Sequence, residues 1–394
     1  MKASRSSWVA LSAVAAIVVG ACATSRGGAA GVAEHAGVSF EHVPGQPFGV
    51  AVTPDDRVAF VDLSGGRVLV YSLGHGAPTL IRGITVPGQA VGASLTRDGR
   101  LLLIADGQGA AVLSVARAER GAAHPVLGTL RPPPTVRLRA AGAIEITSSA
   151  DGRYVFVSLE YGNPGGAIAV YDLGNGRAPK LGAAGYVGSI TLGEAVVGSA
   201  LSADGHELYV TSELAGHPLA SERAGSDALG SDGTLSVIDV NAAERASVHA
   251  VIATVPAQRQ PVRVAVSPSG SIVWVTSRAS NSLLAFSASR LLTNPTTALL
   301  ATVKVGSAPV GLALFDHGAR IIVADSNRFN ARGAHAALTI VNARAALARR
   351  PAVLATVRSG RFPREIAIDQ HDQTALVTNF ASNQIETIQL RRFR

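Results

Sequence analysis

The chain alternates between short apolar runs and short polar breaks, and it does so in one repeated frame. Residues 261–287 show the unit: the run "PVRVAV", the break "SPSG", the run "SIVWVTS", a second break, and the run "LLAF". Runs of about four to eight apolar and β-branched residues, bounded by Gly, Pro, Ser or Asp, are typical of β-strands joined by tight turns. The pattern therefore predicts strand, turn, strand, loop, strand.

This unit recurs seven times after residue 37, at spacings of 43 to 65 residues. Later copies are preceded by a further short run, such as "ATVKV" at residues 301–305, which adds a fourth strand to each unit. The first turn of every copy falls on a residue type that tolerates positive φ, either glycine or aspartate. These seven residues are Asp56, Gly99, Gly152, Gly205, Gly270, Gly318 and Asp372.

The repeat predicts an all-β fold, a seven-bladed β-propeller of four-stranded antiparallel blades spanning residues 37–394. The strands carry apolar residues on both faces, as a sheet packed between two other sheets requires. Units of this kind bury both faces by stacking, and radial closure of the stack gives a propeller. Copy seven lacks a following fourth strand, whereas "GVSFEHV" at residues 37–43 precedes copy one. We therefore expect this N-terminal strand to close the last blade.

Several copies resemble a known repeat. Residues 208–212 read "LYVTS", 273–277 "VWVTS" and 375–379 "ALVTN", with "VAVSPSG" at 264–270 and "SVIDV" at 236–240. These stretches resemble the YVTN-type repeat of the lactonase-like and surface β-propeller superfamily. The resemblance covers about residues 37 to 390 and implies the propeller fold. That superfamily includes sugar-lactone hydrolases, surface proteins and redox-associated propellers, so the resemblance leaves the function open.

The N-terminus indicates export. Residues 1–21 contain two basic residues, an apolar stretch too short to span a membrane, and small residues, which together predict a secretory signal peptide. Its end, with the sequence "VGAC", resembles a bacterial lipobox. That resemblance implies that Cys22, the single cysteine of the chain, becomes the first mature residue and carries a lipid that anchors the protein to the membrane. The alternative is ordinary cleavage after Ala23, which gives a soluble periplasmic or secreted protein.

The Gly- and Ala-rich residues 22–36 predict a flexible tether. Ala23 stands where an aspartate would resemble an inner-membrane retention signal, so the periplasmic side of the outer membrane is the expected location. The formal charge is +8, but the basic residues are scattered and are not interleaved with aromatic residues. We therefore predict no nucleic-acid partner. The cysteine count and the dispersed histidines predict no metal and no cofactor, and we expect a monomeric domain.

Candidate chemistry lies at the start of the innermost strands, where propellers bind ligands at one mouth of the channel. At the Gly of the Pro-x-Gly pattern, four copies have glycine and three have charged residues: Glu145, Arg263 and Glu365. As a functional site, Arg263 would hold a carboxylate or phosphate, and either glutamate would serve as a base or metal ligand. The structural alternative is an ion-pair network that closes the channel. Arg364 adds to either arrangement.

The loops after the second strands are the other candidates. The longest covers residues 212–233 and holds His217, which with nearby acidic residues could bind a cation; the alternative is a Ser-, Gly- and Ala-rich loop with no role. Asn327, next to Arg328 in copy six, and Asn379 in copy seven start the corresponding loops. We expect them to line the same mouth.

Three functions follow from these observations. The first is an exported, lipid-anchored propeller that acts as a scaffold for a small-molecule ligand or a protein partner at the channel mouth. The second is a lactonase-like hydrolase in which Arg263 holds the substrate and Glu145 or Glu365 polarises water. The third is an accessory subunit of a periplasmic or envelope complex. A turnover assay on sugar lactones separates the second from the others, and isolation of partners separates the third.

Overall fold

The structure, a computed structural model, describes residues 37–74, 78–136, 140–162, 165–174, 178–215 and 232–394. Seven antiparallel sheets of four strands each follow one another along the chain. In blades one to six, the four strands lie in the sheet in chain order, so each blade is an up-and-down meander. The predicted seven-bladed β-propeller is therefore confirmed.

Each blade is built from strands of about three to nine residues, which is the usual length in globular proteins. Blade one consists of β2 (Pro47–Val52), β3 (Val58–Leu63), β4 (Arg67–Ser72) and β5 (Thr79–Thr85), and blade two of β6 (Ala93–Leu95), β7 (Leu101–Ala105), β8 (Ala110–Ser114) and β9 (Val126–Leu130). Blade three consists of β10 (Ala140–Ser148), β11 (Tyr154–Gly162), β12 (Ala167–Asp172) and β13 (Tyr186–Thr191). Blade four consists of β14 (Glu194–Leu201), β15 (Glu207–Leu214), β16 (Thr234–Asp239) and β17 (Val251–Pro256). Blade five consists of β18 (Pro261–Val266), β19 (Ile272–Ser277), β20 (Ser282–Ser287) and β21 (Leu299–Lys304). Blade six consists of β22 (Pro309–Phe315), β23 (Arg320–Asp325), β24 (Ala337–Asn342) and β25 (Val353–Arg358). Blade seven consists of β26 (Pro363–Ile368), β27 (Thr374–Asn379), β28 (Gln384–Gln389) and β1 (Val38–His42).

The last blade is closed by the N-terminal strand, as predicted. β1 pairs antiparallel with β28, from Val38 opposite Ile388 to His42 opposite Gln384. Val43, just after β1, is fully buried, and its N–H donates to the carbonyl of Asn383 at 2.9 Å. The first and last strands of the described residues therefore share one sheet.

The core lies between the blades. Phe60 of blade one packs in the same apolar cluster as Ile104 of blade two, and Leu376 of blade seven packs with Val61 of blade one. The second strand of each blade is buried along most of its length on both faces, as β3 shows. Successive apolar residues of a strand thus pack against the two neighbouring sheets in turn, which is why the sequence shows continuous apolar runs and not alternating apolar and polar residues.

The tight turns between first and second strands follow the repeat. All seven predicted turn residues have positive φ, between 53° and 83°, a region that glycine enters without strain and that aspartate tolerates better than most residues. They are Asp56, Gly99, Gly152, Gly205, Gly270, Gly318 and Asp372.

Short α-helices, which the apolar pattern did not predict, connect third and fourth strands in four blades of the described chain, and a 3-10 helix, Ala183–Gly185, does so in blade three. The α-helices are α1 (Val115–Glu119), α2 (Val240–Ala243), α3 (Ala288–Thr293) and α4 (Ala343–Leu347). Each begins after an N-cap side chain that accepts a backbone N–H of the first turn: Ser114, Asp239, Ser287 and Asn342. A cap residue at the end of a strand is equally typical of a turn, so periodicity alone does not reveal a one-turn helix.

Threonines of the second strands join the inner strands of neighbouring blades. Thr276 Oγ1 accepts the N–H of Arg263 in its own blade at 3.1 Å and donates to the carbonyl of Val310 in the next blade at 2.6 Å. Thr211 and Thr378 make the same pair of bonds. In blade one Asp62 takes this place and accepts the N–H of Gly49 in its own inner strand and that of Gly92, just before the inner strand of blade two. These bonds fix the ring of inner strands around the channel.

Candidate functional site

The three charged residues predicted at the channel come together. They lie on the inner strands of blades three, five and seven. Between them, the inner strands that carry glycine approach their neighbours closely: a Cβ on Gly198 would lie 2.1 Å from the carbonyl oxygen of Val262, and one on Gly311 would lie 2.2 Å from that of Arg364. Glycine in these blades therefore allows the close approach that brings the charged side chains of the other blades into one cluster.

Arg263 is the centre of this cluster. Its Nε donates to Glu365 Oε1 at 2.8 Å, its Nη1 donates to the carbonyl of Val197 at 2.8 Å, and its Nη2 lies 3.0 Å from Glu145 Oε2 and in contact with Glu365. The Arg263 side chain is 7% exposed, against 22% for Glu145 and 18% for Glu365. Nε and Nη1 thus donate to protein acceptors, whereas Nη2 forms ion pairs with both glutamates but no hydrogen bond within the described ranges. The triad joins three blades across the channel, the arrangement that the structural alternative describes.

Acidic groups around the channel are held in a poorly solvated environment. Burial raises the pKa of Glu145 to about 7; the Arg263 guanidinium opposes this shift and the charge of Glu365 adds to it. Burial also raises the pKa of Glu160 to about 7, with a further contribution from Glu213. Burial likewise raises the pKa of Asp62 to about 6, although hydrogen bonds from the backbone N–H groups of Gly49 and Gly92 oppose this rise. These groups take up protons near neutral pH, and the net charge of the mouth then becomes more positive.

Arg364 is a buried cation whose charge no neighbouring carboxylate neutralises directly. The residue is 9% exposed, and its guanidinium carbon lies 3.5 Å from the centre of the Phe48 ring. Its Nε has no hydrogen-bond partner, and no carboxylate of the described ranges forms an ion pair with it. Burial, followed by the positive charge of Arg263, lowers the pKa of Arg364 to about 9. Stacking on an aromatic ring offsets only part of the cost of burying a guanidinium, so this side chain fits an anion supplied from outside.

Arg364 belongs to an alternating row of guanidinium groups and phenyl rings, which we call the Arg–Phe ladder. Arg364 lies 5.7 Å from the Phe362 ring, Arg328 lies 5.4 Å from Phe362 and 5.9 Å from Phe329, and Arg278 lies 5.9 Å from Phe329. All of these residues sit at starts of first strands or just after second strands, and so at one mouth of the channel. The ladder consists of Phe48, Arg364, Phe362, Arg328, Phe329 and Arg278.

The cations of the ladder differ in their partners. Arg278 Nη2 donates to Glu213 Oε2 at 2.5 Å, and its Nε donates to Gln260 at 3.2 Å, so its charge is neutralised locally. Arg328 and Arg364 have no ion pair within the residues that the structure covers. Positive charge is therefore concentrated at Phe362, the ring that both of these guanidinium groups approach.

The other predicted site residues lie elsewhere or have structural partners. Asn327 donates to the carbonyl of Ala334 at 3.0 Å and accepts the N–H of Ala331 at 3.1 Å, so it shapes the loop that carries Arg328. Asn379 is fully buried at the end of β27, opposite Pro363 at the start of β26, and its side chain donates to Glu386 at 2.9 Å, so it is occupied by a partner inside blade seven. His217 and Cys22 lie outside the described residues.

The described part of the chain contains no group of three or more His, Cys, Asp or Glu side chains arranged to hold a metal ion. Within the same ranges, no helix has both the length and the apolar character needed to cross a membrane.

The aromatic members of the ladder do not stand out in the repeat pattern. Phe48 follows the first proline of blade one, and Phe362 precedes the corresponding proline of blade seven, in the pairs "PF" and "FP". Phe329 follows Arg328 in a loop. Aromatic residues beside the proline that starts an inner strand are nevertheless a usable indication of the mouth, since the same frame places the charged residues there.

The fold is shared with a solved structure. Hydrazine synthase of Kuenenia stuttgartiensis superposes with a TM-score of 0.66 at 16% identity, over 87% of this chain and 95% of that chain. At this identity the likeness concerns the β-propeller fold alone. No protein-family model matches the chain, and no curated protein matches it.

Proposed function

We propose that this chain is an exported propeller of the YVTN-repeat type, tethered by a lipid on Cys22, that binds a small anionic ligand at the mouth of its channel. The observation that carries the binding proposal is Arg364, a residue that is nine-tenths buried, whose Nε has no hydrogen-bond partner and whose guanidinium lacks an ion pair within the described ranges. Buried charges in proteins are paired. A carboxylate or phosphate of a ligand would supply the missing partner through charge-assisted hydrogen bonds.

Arg263 has a different role in this proposal. Its Nε and Nη1 already donate to Glu365 and to the carbonyl of Val197, and its Nη2 is ion-paired with Glu145 and Glu365, so an anion that used Arg263 would have to displace a glutamate. The triad therefore forms the floor of the site and closes the channel. Arg364 and Arg328 stand beside it, and neither guanidinium group forms an ion pair with a carboxylate of the residues that the structure describes.

Replacing Arg364 with methionine tests the binding proposal. Methionine keeps the stacking volume against Phe48 and removes the charge, so we expect affinity for malonate and for inorganic phosphate to fall by about 10- to 100-fold, the range of a lost hydrogen bond to a charged group. Isothermal titration calorimetry on the folded protein measures this loss. Arg361→Met is the matched control, because Arg361 is exposed and donates to the carbonyl of Ala381 on the adjacent turn. Equal affinities for the Arg364→Met variant and the wild type would refute the site.

Export and anchoring rest on residues 1–22. We expect mass spectrometry of the protein from its native host to find a diacylglyceryl group on Cys22 as the first residue, because the single cysteine stands at the lipobox position. Cys22→Ser is expected to release the protein from the membrane fraction. A mature N-terminus at Thr24 without lipid would contradict the anchor and leave ordinary secretion.

A hydrolase is the second candidate, and Glu145 is the observation that favours it. Its side chain keeps 22% of its surface exposed, and burial raises its pKa to about 7, which suits a general base at neutral pH. Turnover of sugar lactones by the purified protein that is abolished in Glu145→Gln would replace the binding proposal with this one. The accessory-subunit hypothesis would gain support from a stoichiometric partner isolated with the lipidated protein.

A further inference from the structure

We infer that the anion bound at Arg364 carries a planar aromatic ring, which lies on the outer part of the Arg–Phe ladder. This inference rests on the proposed function and specifies the class of ligand. It depends on three features of the mouth: the position of the two cations without ion pairs, the alternation of rings and guanidinium groups, and the exposure of two aromatic side chains.

The anionic end of the ligand is placed by the two cations. Arg364 and Arg328 approach the same Phe362 ring, at 5.7 and 5.4 Å, and neither has a carboxylate partner in the described ranges. Arg278, the last member of the ladder, is buried and already paired with Glu213. The attraction for an anion is therefore strongest between Arg364 and Arg328, and the uncharged part of the ligand points outward, towards Phe329.

The surface that the uncharged part meets is aromatic. Phe329 is 53% exposed and Tyr161 is 58% exposed, two of the three aromatic side chains that stand out as exposed in the described residues. Tyr161 lies near the end of β11, the second strand of blade three, opposite Ala141 at the start of the inner strand β10, so this ring lies at the same mouth. Exposed aromatic side chains grouped at one site are typical of a binding surface.

The alternation favours a planar ring over an aliphatic group. A flat π-system stacks on a phenyl ring and on a guanidinium plane, and a guanidinium is attracted to the face of either ring. An aliphatic group of equal size gains the burial of apolar surface only. The ladder provides a guanidinium and a phenyl ring side by side at Arg328 and Phe329, 5.9 Å apart. A ligand ring placed there extends the existing alternation.

The test compares two anions of equal charge and similar size, naphthalene-2-carboxylate and its saturated analogue, decahydronaphthalene-2-carboxylate. We expect the aromatic anion to bind the wild-type protein about tenfold more tightly, within the range measured for stacking on one aromatic side chain. Phe329→Leu keeps apolar area at this exposed loop position and removes the ring face, so it is expected to abolish the preference. Phe40→Leu, on the exposed face of β1, is the matched control.

The outcomes separate this inference from the proposed function. A tenfold preference that Phe329→Leu removes supports both. Equal binding of the two anions, with both lost in Arg364→Met, overturns the aromatic class and leaves the anion site in place. Binding of either anion that Arg364→Met does not weaken overturns the site itself, and the aromatic inference with it.

Discussion

Replacing Arg263 with methionine is expected to lower the free energy of unfolding by about 3 to 5 kcal/mol, the usual cost of removing one partner from a buried ion pair. The variant leaves Glu145 and Glu365 close together in the channel without the guanidinium that contacts both. It also removes the Nη1 donor to the carbonyl of Val197. Urea denaturation followed by circular dichroism at pH 7.5 measures the loss.

The pH dependence of this loss identifies its cause. In the wild type, burial raises the pKa of Glu145 to about 7, so the folded state binds its proton more tightly than the unfolded state, and this group's contribution to stability falls as the pH rises through 7. Without the attraction of Arg263 the pKa of Glu145 rises further. The difference between Arg263→Met and wild type is therefore expected to be largest above pH 7.5 and to shrink towards pH 5.

Two further variants serve as controls. Arg259→Met removes an exposed guanidinium that donates to the carbonyl of Ala279, and we expect a change below about 0.5 kcal/mol. The triple variant Arg263→Met, Glu145→Gln, Glu365→Gln removes every charge of the triad and should recover most of the lost stability. If Arg263→Met is as stable as the wild type at pH 7.5, the two carboxylates are solvated and the triad does not close the channel.

The repeat explains why so much of this arrangement was accessible from sequence. Once seven copies are aligned in one frame, Glu145, Arg263 and Glu365 occupy one position of seven inner strands, and ring closure brings that position together. The turn residues follow from the same alignment, since only a few residue types tolerate positive φ. In a closed ring of repeats, residues at the same position of the repeat lie close together, so the alignment of the copies alone predicts which distant residues meet.

The contacts of Arg364, and its lack of an ion pair in the described ranges, could not be predicted from the aligned repeats. Its neighbour in sequence is Glu365, which suggests an ion pair, but adjacent residues of a strand point to opposite sides. Glu365 consequently points at Arg263, while the Arg364 guanidinium stacks on Phe48 from the opposite end of the chain. Blade seven and blade one become neighbours only when the ring closes. The ladder also takes residues from loops, whose paths no strand repeat determines.

The mouth is divided into a stabilising part and a part suited to binding. The triad satisfies its own charges and joins blades three, five and seven. The Arg–Phe ladder leaves the buried Arg364 without a carboxylate partner in the described ranges, a costly arrangement for a protein that uses the mouth for stability alone, and it leaves Arg328 and the Phe329 ring exposed. The two parts therefore predict different effects of losing a charge: Arg263→Met lowers stability, whereas Arg364→Met primarily lowers the affinity for anions.

Deleting residues 37–43 is expected to lower the free energy of unfolding by at least about 4 kcal/mol. Burial of a valine such as Val43 contributes roughly 2 kcal/mol, and each backbone hydrogen bond of a paired strand contributes about 1 kcal/mol. β1 pairs with β28 over five residue positions, so the deletion leaves blade seven with three strands and an open edge. Urea denaturation measures the loss, and size-exclusion chromatography is expected to show self-association through the exposed edge of β28.

Phe40→Ser is the control for this deletion, because Phe40 lies on the same strand with 49% of its surface exposed, and we expect a change of less than about 1 kcal/mol. Val43→Ala, which shortens one fully buried side chain, should fall between the two. A deletion variant as stable as the wild type would mean that blade seven holds without β1. Closure of the ring would then depend on contacts between inner strands alone, such as the bond from Thr378 Oγ1 to the carbonyl of Phe48 at 2.9 Å.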